Sequence, residues 1–170
     1  QPNPYTGRKG NQLVLRVAAG GSEPLTYHWH RDGEPVLESD EPIFKIDSAI
    51  PADSGAYSVV VKNTAGEATS EDAQVTIYQP VIITLQPQPA RAISGETAVL
   101  RVEAAGSEPL AYQWLFNNSQ IAGATSSELT VANVGGANEG SYQVVISNPA
   151  GRVVSEEARL AVVQPVQILV

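Results

Sequence analysis

The sharpest chemical constellation in this 170-residue chain is His28-Trp29-His30. Two histidines at i and i+2 on an extended strand project from one face, a spacing that a transition metal can use. A closed site needs about two further ligands converging on it, and the chain has no other histidine and no cysteine. Side chains on a solvated sheet face are therefore the simpler reading of His28 and His30, and no metal is expected. A second cluster, Asp32, Glu34, Glu38, Asp40, Glu41 and Asp47, is rich in carboxylates. Calcium, however, takes about six to eight oxygens from a defined loop, and these spacings match no EF-hand. The cluster reads as solvated acidic loops.

Nucleophilic chemistry fares no better. The absence of cysteine removes thiol catalysis, thiolate metal sites and disulfides together. Serines are common, but neither histidine lies in a recognisable nucleophile motif. Lys9, Lys45 and Lys62 are the only lysines, too few and too outward in phase for a Lys–Asn cross-link in each half. No catalytic residue and no cofactor is expected, and the chain is read as a non-enzyme. A net charge of -8 argues against a nucleic-acid partner, since backbone binding needs Lys and Arg to neutralise phosphates. No apolar run reaches the length of a membrane span.

The elements that carry these residues come in duplicate. A shift of 85 positions, without a gap, places Val14-Leu15-Arg16-Val17 on Val99-Leu100-Arg101-Val102, Trp29 on Trp114, and Tyr57 on Tyr142. Gly21-Ser22-Glu23-Pro24-Leu25 falls on Gly106-Ser107-Glu108-Pro109-Leu110, and Gln79-Pro80-Val81 on Gln164-Pro165-Val166. Roughly a third of the aligned positions are identical, enough for a shared fold. The expected domains are residues 1–79, with a truncated first strand, residues 80–164, and residues 165–170 as the start of a third repeat or a linker.

Within each repeat, short runs of alternating apolar and polar residues are separated by Gly, Pro, Asn and Asp at intervals of about eight to twelve residues, the pattern of an all-β sandwich. Trp29, Tyr57, Val17 and Val59 are expected in the first core, and Trp114, Tyr142, Val102 and Val144 in the second, with Tyr112 and Ile146 beside them. The opposite phase of the same strands faces outward: His28, His30 and Val60 in the first repeat, Gln113, Leu115, Gln143 and Val145 in the second. Leu115 beside Val145 is the candidate partner-binding patch, since an apolar centre with a polar rim is the usual anatomy of an interface.

The order Leu15-x-Val17, Trp29, Phe44-x-Ile46, Asp53-x-Gly55-x-Tyr57-x-Val59 and Asn63-x-Ala65-Gly66 resembles the intermediate set of immunoglobulin domains, twice over. The resemblance implies two tandem Greek-key β-sandwiches joined end to end, each with a tyrosine corner at Tyr57 or Tyr142. The two cysteines of such domains are replaced by Val17 and Val59, and by Val102 and Val144. A bridge contributes about 2 to 4 kcal/mol and a fully buried valine about 1.5 to 3 kcal/mol, so valine pairs can stand in for it. Cysteine-free repeats of this kind resemble those of bacterial surface and secreted multidomain proteins. That likeness implies a non-enzymatic extracellular or cell-surface spacer with adhesive capacity through a protein or glycan partner, secreted and periplasmic settings also being compatible. The rival implication is an accessory glycan-binding module of a carbohydrate-active enzyme, for which exposed aromatic residues are few. The short Gln79-Pro80 connection leads us to expect a monomeric rod of roughly 70 to 90 Å within a longer array.

Overall fold

The computed structural model describes residues 1–166, and the expected third-repeat segment lies outside the described residues from position 167 onward. The chain divides into two compact units, residues 1–79 and 80–170. In unit 1 the strands are β1 (Tyr5–Arg8), β2 (Leu13–Arg16), β3 (Thr26–Arg31), β4 (Glu34–Ser39), β5 (Ile43–Ile46), β6 (Gly55–Asn63), β7 (Gly66–Thr69) and β8 (Ala73–Tyr78). One sheet runs β1-β8-β6-β3-β4, with β7 also on β6, and faces the pair β2-β5. In unit 2 they are β9 (Ile82–Leu85), β10 (Ala90–Ile93), β11 (Ala98–Arg101), β12 (Glu103–Ala105), β13 (Ala111–Phe116), β14 (Ser119–Gln120), β15 (Glu128–Val131), β16 (Gly140–Asn148), β17 (Gly151–Val154) and β18 (Ala158–Val163). Its larger sheet runs β10-β18-β16-β13-β14, with β17 on β16, and faces β11-β15 and β9-β12. The only helical pieces described are the 3-10 turns Pro51–Asp53 and Gly136–Asn138.

Each sandwich closes on one tryptophan. Trp29 is fully buried with Leu13, Leu15, Val59 and Val75, and Phe44 links the rings of Trp29 and Tyr57 at centroid distances of 5.8 and 5.2 Å. Trp114 is fully buried among Leu100, Val144, Ile146 and Leu160. Strand alternation does the sorting: in β3 Tyr27 and Trp29 are buried while His28 and His30 lie on the other face, only partly covered.

Turn chemistry sets the register of the β3–β4 and β13–β14 hairpins. Asp32 and Gly33 take φ of 52° and 84°, and Asn117 and Asn118 take 47° and 65°, the pair of positive values that a two-residue hairpin needs. The turn side chains then reach across the sheet edge: Asp32 Oδ1 accepts from the Ala56 amide at 2.8 Å and Asn117 Oδ1 from the Ser141 amide at 3.0 Å. Glycine must sit beside each acceptor, because a Cβ on Gly55 would lie 2.9 Å from Asp32 Oδ1 and one on Gly140 2.6 Å from Asn117 Oδ1. The Gly-Ser-Glu-Pro-Leu repeats are also turns, with cis Glu23-Pro24 and Glu108-Pro109 bonds. In each, the glutamate carboxylate accepts from the amide two residues on, Leu25 at 2.9 Å and Leu110 at 2.8 Å.

Two positions depart from the sequence-based core. Val17 is only partly buried, whereas Val102 is 2% exposed. In unit 2, β12 continues from Val102 and pairs with β9, whereas residues 17–20 of unit 1 belong to no strand. Tyr112 is likewise partly covered, packing at the margin of its core.

Candidate interaction surface

The outward face of unit 1 is polar. His28 stands opposite Val60 and Glu38 across the ladders, and His30 opposite Ser58 and Pro35. Each imidazole already has a local partner. His28 Nδ1 lies 3.6 Å from Glu38 Oε2, its Nε2 lies 3.4 Å from Thr26 Oγ1, and His30 Nδ1 donates to the His28 carbonyl at 3.0 Å. No group of three or more His, Cys, Asp or Glu able to hold a metal occurs among the described residues. Lys62 pairs with Glu67 at 2.9 Å, and this ammonium holds the Glu67 carboxyl below its ordinary value. Val60 is thus one partly covered valine among charged and hydroxyl neighbours.

The same face of unit 2 has a different chemistry. Leu115 stands opposite Gln143, Gln113 opposite Val145, and Val145 in turn opposite Val154 on β17. Directly opposed side chains share a face, so the two valines are neighbours. The glutamines are tied down: Gln113 Nε2 donates to the Ile121 carbonyl at 2.8 Å and Gln143 Nε2 to the Ser155 carbonyl at 3.1 Å. What the strip presents is therefore Leu115, Val145 and Val154, the last 52% exposed. Sequence reasoning missed Val154. Its signal lay in the doublet Val153-Val154, where strand alternation turns one valine inward and the other out.

The lower corner of each sandwich ties the outward face to the core. Tyr57 Oη donates to the Asp53 carbonyl and Tyr142 Oη to the Asn138 carbonyl, both at 2.9 Å. Around these bonds the two units differ. In unit 1, Arg31 Nη1 donates to the Ala52 carbonyl at 3.0 Å and lies 3.7 Å from Asp53 Oδ1. In unit 2, Phe116 takes the place of Arg31 and stacks on Tyr142 at 4.9 Å, and Asn138 Oδ1 still accepts from the Gly135 amide, as Asp53 does from Ile50.

The immunoglobulin-domain family profile matches residues 1–63 and 79–148, once in each unit. The chain belongs to the immunoglobulin domain family. It is 28% identical over 155 residues to human Brother of CDO, covering 84% of this chain and 14% of that protein. It is 28% identical over 163 residues to the cell adhesion molecule Dscam2 of Drosophila melanogaster, covering 87% and 8%. It is 27% identical over 169 residues to the muscle M-line assembly protein unc-89 of Caenorhabditis elegans, covering 86% and 2%. The chain thus spans a small part of each relative. Among solved structures, a three-domain immunoglobulin fragment of titin superposes with a TM-score of 0.78 at 19% identity over 98% of this chain and 64% of that one. The four N-terminal immunoglobulin domains of Dscam1 superpose with a TM-score of 0.71 at 20% identity, covering 94% and 43%. These structural likenesses show the fold. The relatives named here are animal proteins.

For these immunoglobulin domains the corner makes a direct prediction. Tyr57→Phe and Tyr142→Phe each remove one hydrogen bond and should lower stability by about 0.5 to 1.5 kcal/mol. Burial raises the pKa of both phenols above the ordinary value, with Arg31 opposing this at Tyr57. A raised folded-state pKa gives stability that is complete below the unfolded value near 10 and is lost as pH rises through the folded one. Urea titrations at pH 7 and pH 11 therefore should show a smaller alkaline loss in either phenylalanine variant than in the parent.

Proposed function

We propose that the chain is a non-enzymatic, extracellular adhesion and spacer segment that meets a protein partner through the β13–β16–β17 face of unit 2. The observation that carries this reading is the strip of Leu115, Val145 and Val154, an apolar centre bounded by hydrogen-bonded Gln113 and Gln143. The equivalent face of unit 1, with His28, His30 and Lys62, offers no such centre. Sequence relatives named for cell adhesion and for muscle assembly support a role in holding proteins together. The lack of cysteine in both domains is what favours a parent among bacterial surface or secreted multidomain proteins.

The test is the double variant Leu115→Glu/Val145→Glu. Binding of the fluorescently labelled chain to the surface of the producing cells, measured by flow cytometry, should fall at least about tenfold, because two carboxylates at an interface centre oppose desolvation. The melting temperature should stay within about 2 °C of the parent, since both side chains already face outward. Undiminished binding by a folded double variant means that the strip is ordinary exposed sheet.

A further inference from the structure

The strand β17 leaves one side of its backbone open. It pairs with β16 alone, and β10 covers its continuation, β18, only over residues 160–163. The open groups can be assigned residue by residue. The Ser155 amide donates to the Val144 carbonyl at 2.9 Å, which makes these two a hydrogen-bonded pair in the register of β16 and β17. Antiparallel ladders alternate bonded and non-bonded pairs, so Val145–Val154 and Ser147–Arg152 are non-bonded ones. The N–H and C=O groups of Val154 and Arg152 therefore point away from β16, to the free edge. Their side chains take the outer face, Val154 being 52% exposed and Arg152 exposed as well, while Val153 packs on the core. Two residues thus present backbone and side chain together to a chain that lies along this edge.

Unit 1 satisfies the same positions within itself. In β7, Glu67 stands where Arg152 does and Thr69 where Val154 does, opposite Lys62 and Val60. The Lys62 ammonium lies 2.9 Å from the Glu67 carboxylate, so that edge carries a neutralised ion pair and a hydroxyl. In unit 2, Ser147 replaces the lysine. Arg101 and Arg159 have Glu128 and Glu139 as partners, but Arg152 forms no ion pair among the described residues. The edge is also continuous with the apolar strip on the face of the sheet. Gln113, Val145 and Val154 form one row across β13, β16 and β17, and a strand laid beside β17 lengthens that row by one residue.

We infer that unit 2 takes its partner by strand addition at β17: an extended segment of another protein runs antiparallel to it, with an apolar residue opposite Val154 and, two positions later, a carboxylate opposite Arg152. The backbone groups of both residues supply the affinity common to any added strand, and the two side chains select the sequence. Charge selects because opposite charges directly across a ladder attract and like charges repel. The inference rests on the reading that this face of unit 2 meets a protein, and it names the chemistry of that protein's contact segment.

Amide NMR titration of the isotope-labelled full chain with a capped peptide, Ser-Thr-Val-Thr-Glu-Thr-Ser, tests it. The Arg152 and Val154 amide signals should shift saturably, with a dissociation constant of about 1 mM or tighter, and their hydrogen exchange should slow. The same peptide with lysine in place of glutamate should bind at least about threefold more weakly, and Arg152→Glu should invert that preference. Val154→Pro removes an outward N–H without touching the β16 ladder, at an edge position that tolerates proline, and should weaken binding of the glutamate peptide at least about tenfold. Arg152→Glu keeps the question decidable if the proline variant unfolds. The absence of a saturable shift at Arg152 and Val154 overturns the inference, as does equal binding of the two peptides. Signals of these residues that change on dilution of the chain alone also overturn it, assigning the edge to a second copy. Cell binding separates this inference from the reading it rests on: loss in Leu115→Glu/Val145→Glu but not in Arg152→Glu leaves the face in place and removes the edge.

Discussion

Trp114→Ala is expected to lower the stability of unit 2 by about 3 to 5 kcal/mol, and Trp29→Ala that of unit 1 by a similar amount, the cost of deleting a core aromatic. Both rings are fully buried and each is the only tryptophan of its sandwich. Against a domain stability of about 5 to 15 kcal/mol, the loss removes a large share and can unfold the mutated unit outright. Calorimetry of the full chain should show one transition displaced or missing. An unchanged denaturation midpoint for the mutated unit would show that its core closes without the ring. The conservative variants separate the two sites further. Trp114 Nε1 donates to the Ser126 carbonyl at 2.8 Å, while buried Trp29 Nε1 has no hydrogen-bond partner among the described residues. Trp114→Phe should therefore cost about 1 kcal/mol more than Trp29→Phe, one net hydrogen bond.

Ile146→Ala should cost unit 2 about 2 to 5 kcal/mol, whereas Val61→Ala at the equivalent place in unit 1 should cost under about half as much. The two side chains occupy the same point of the same strand. Ile146 is wholly buried, in a core that includes Val81 and Ile83 from beside and within β9; Val61 keeps part of its surface in water. Part of the difference comes from the extra methylene of isoleucine, worth about 0.8 kcal/mol, and the rest reports the deeper burial of Ile146. Fluorescence can resolve the units without cutting the chain. In a Trp29→Phe background the remaining indole follows unit 2, and in a Trp114→Phe background it follows unit 1. Equal costs in the two urea titrations would mean that β9 adds little to the packing of unit 2.

What could be read from the sequence was whatever a single repeat writes in its own pattern. The period-two alternation around Trp29 and Trp114 and the Gly-x-Tyr corners carry both fold and core, because burial on one sheet face leaves a local trace. Val17 shows where that reasoning stops. Its pattern matches that of Val102, whose burial depends on β9, a strand 17 or more positions away in chain order. The strand β4 left no periodic trace either, since all but its last residue is exposed. At the outward face, Leu115 and Val145 could be phased from their own strands. Val154 could not be joined to them before the β16–β17 register was known.

The unlike corners also govern which wrong structures the chain can form. Neighbouring domains of similar sequence are prone to misfold by exchanging strands. A hybrid sandwich that combined β3 with β16 would set the Arg31 guanidinium beside Asn138, without the Asp53 carboxylate that it faces natively. The reciprocal hybrid, β13 with β6, would lay the Phe116 ring against that carboxylate instead of leaving it near a cation. Each mismatch leaves a charged group without its partner at the sandwich corner, an unfavourable arrangement wherever solvent is restricted. The pairs β3–β6 and β13–β16 thus carry corner chemistries that do not interchange, which disfavours strand exchange between the two units.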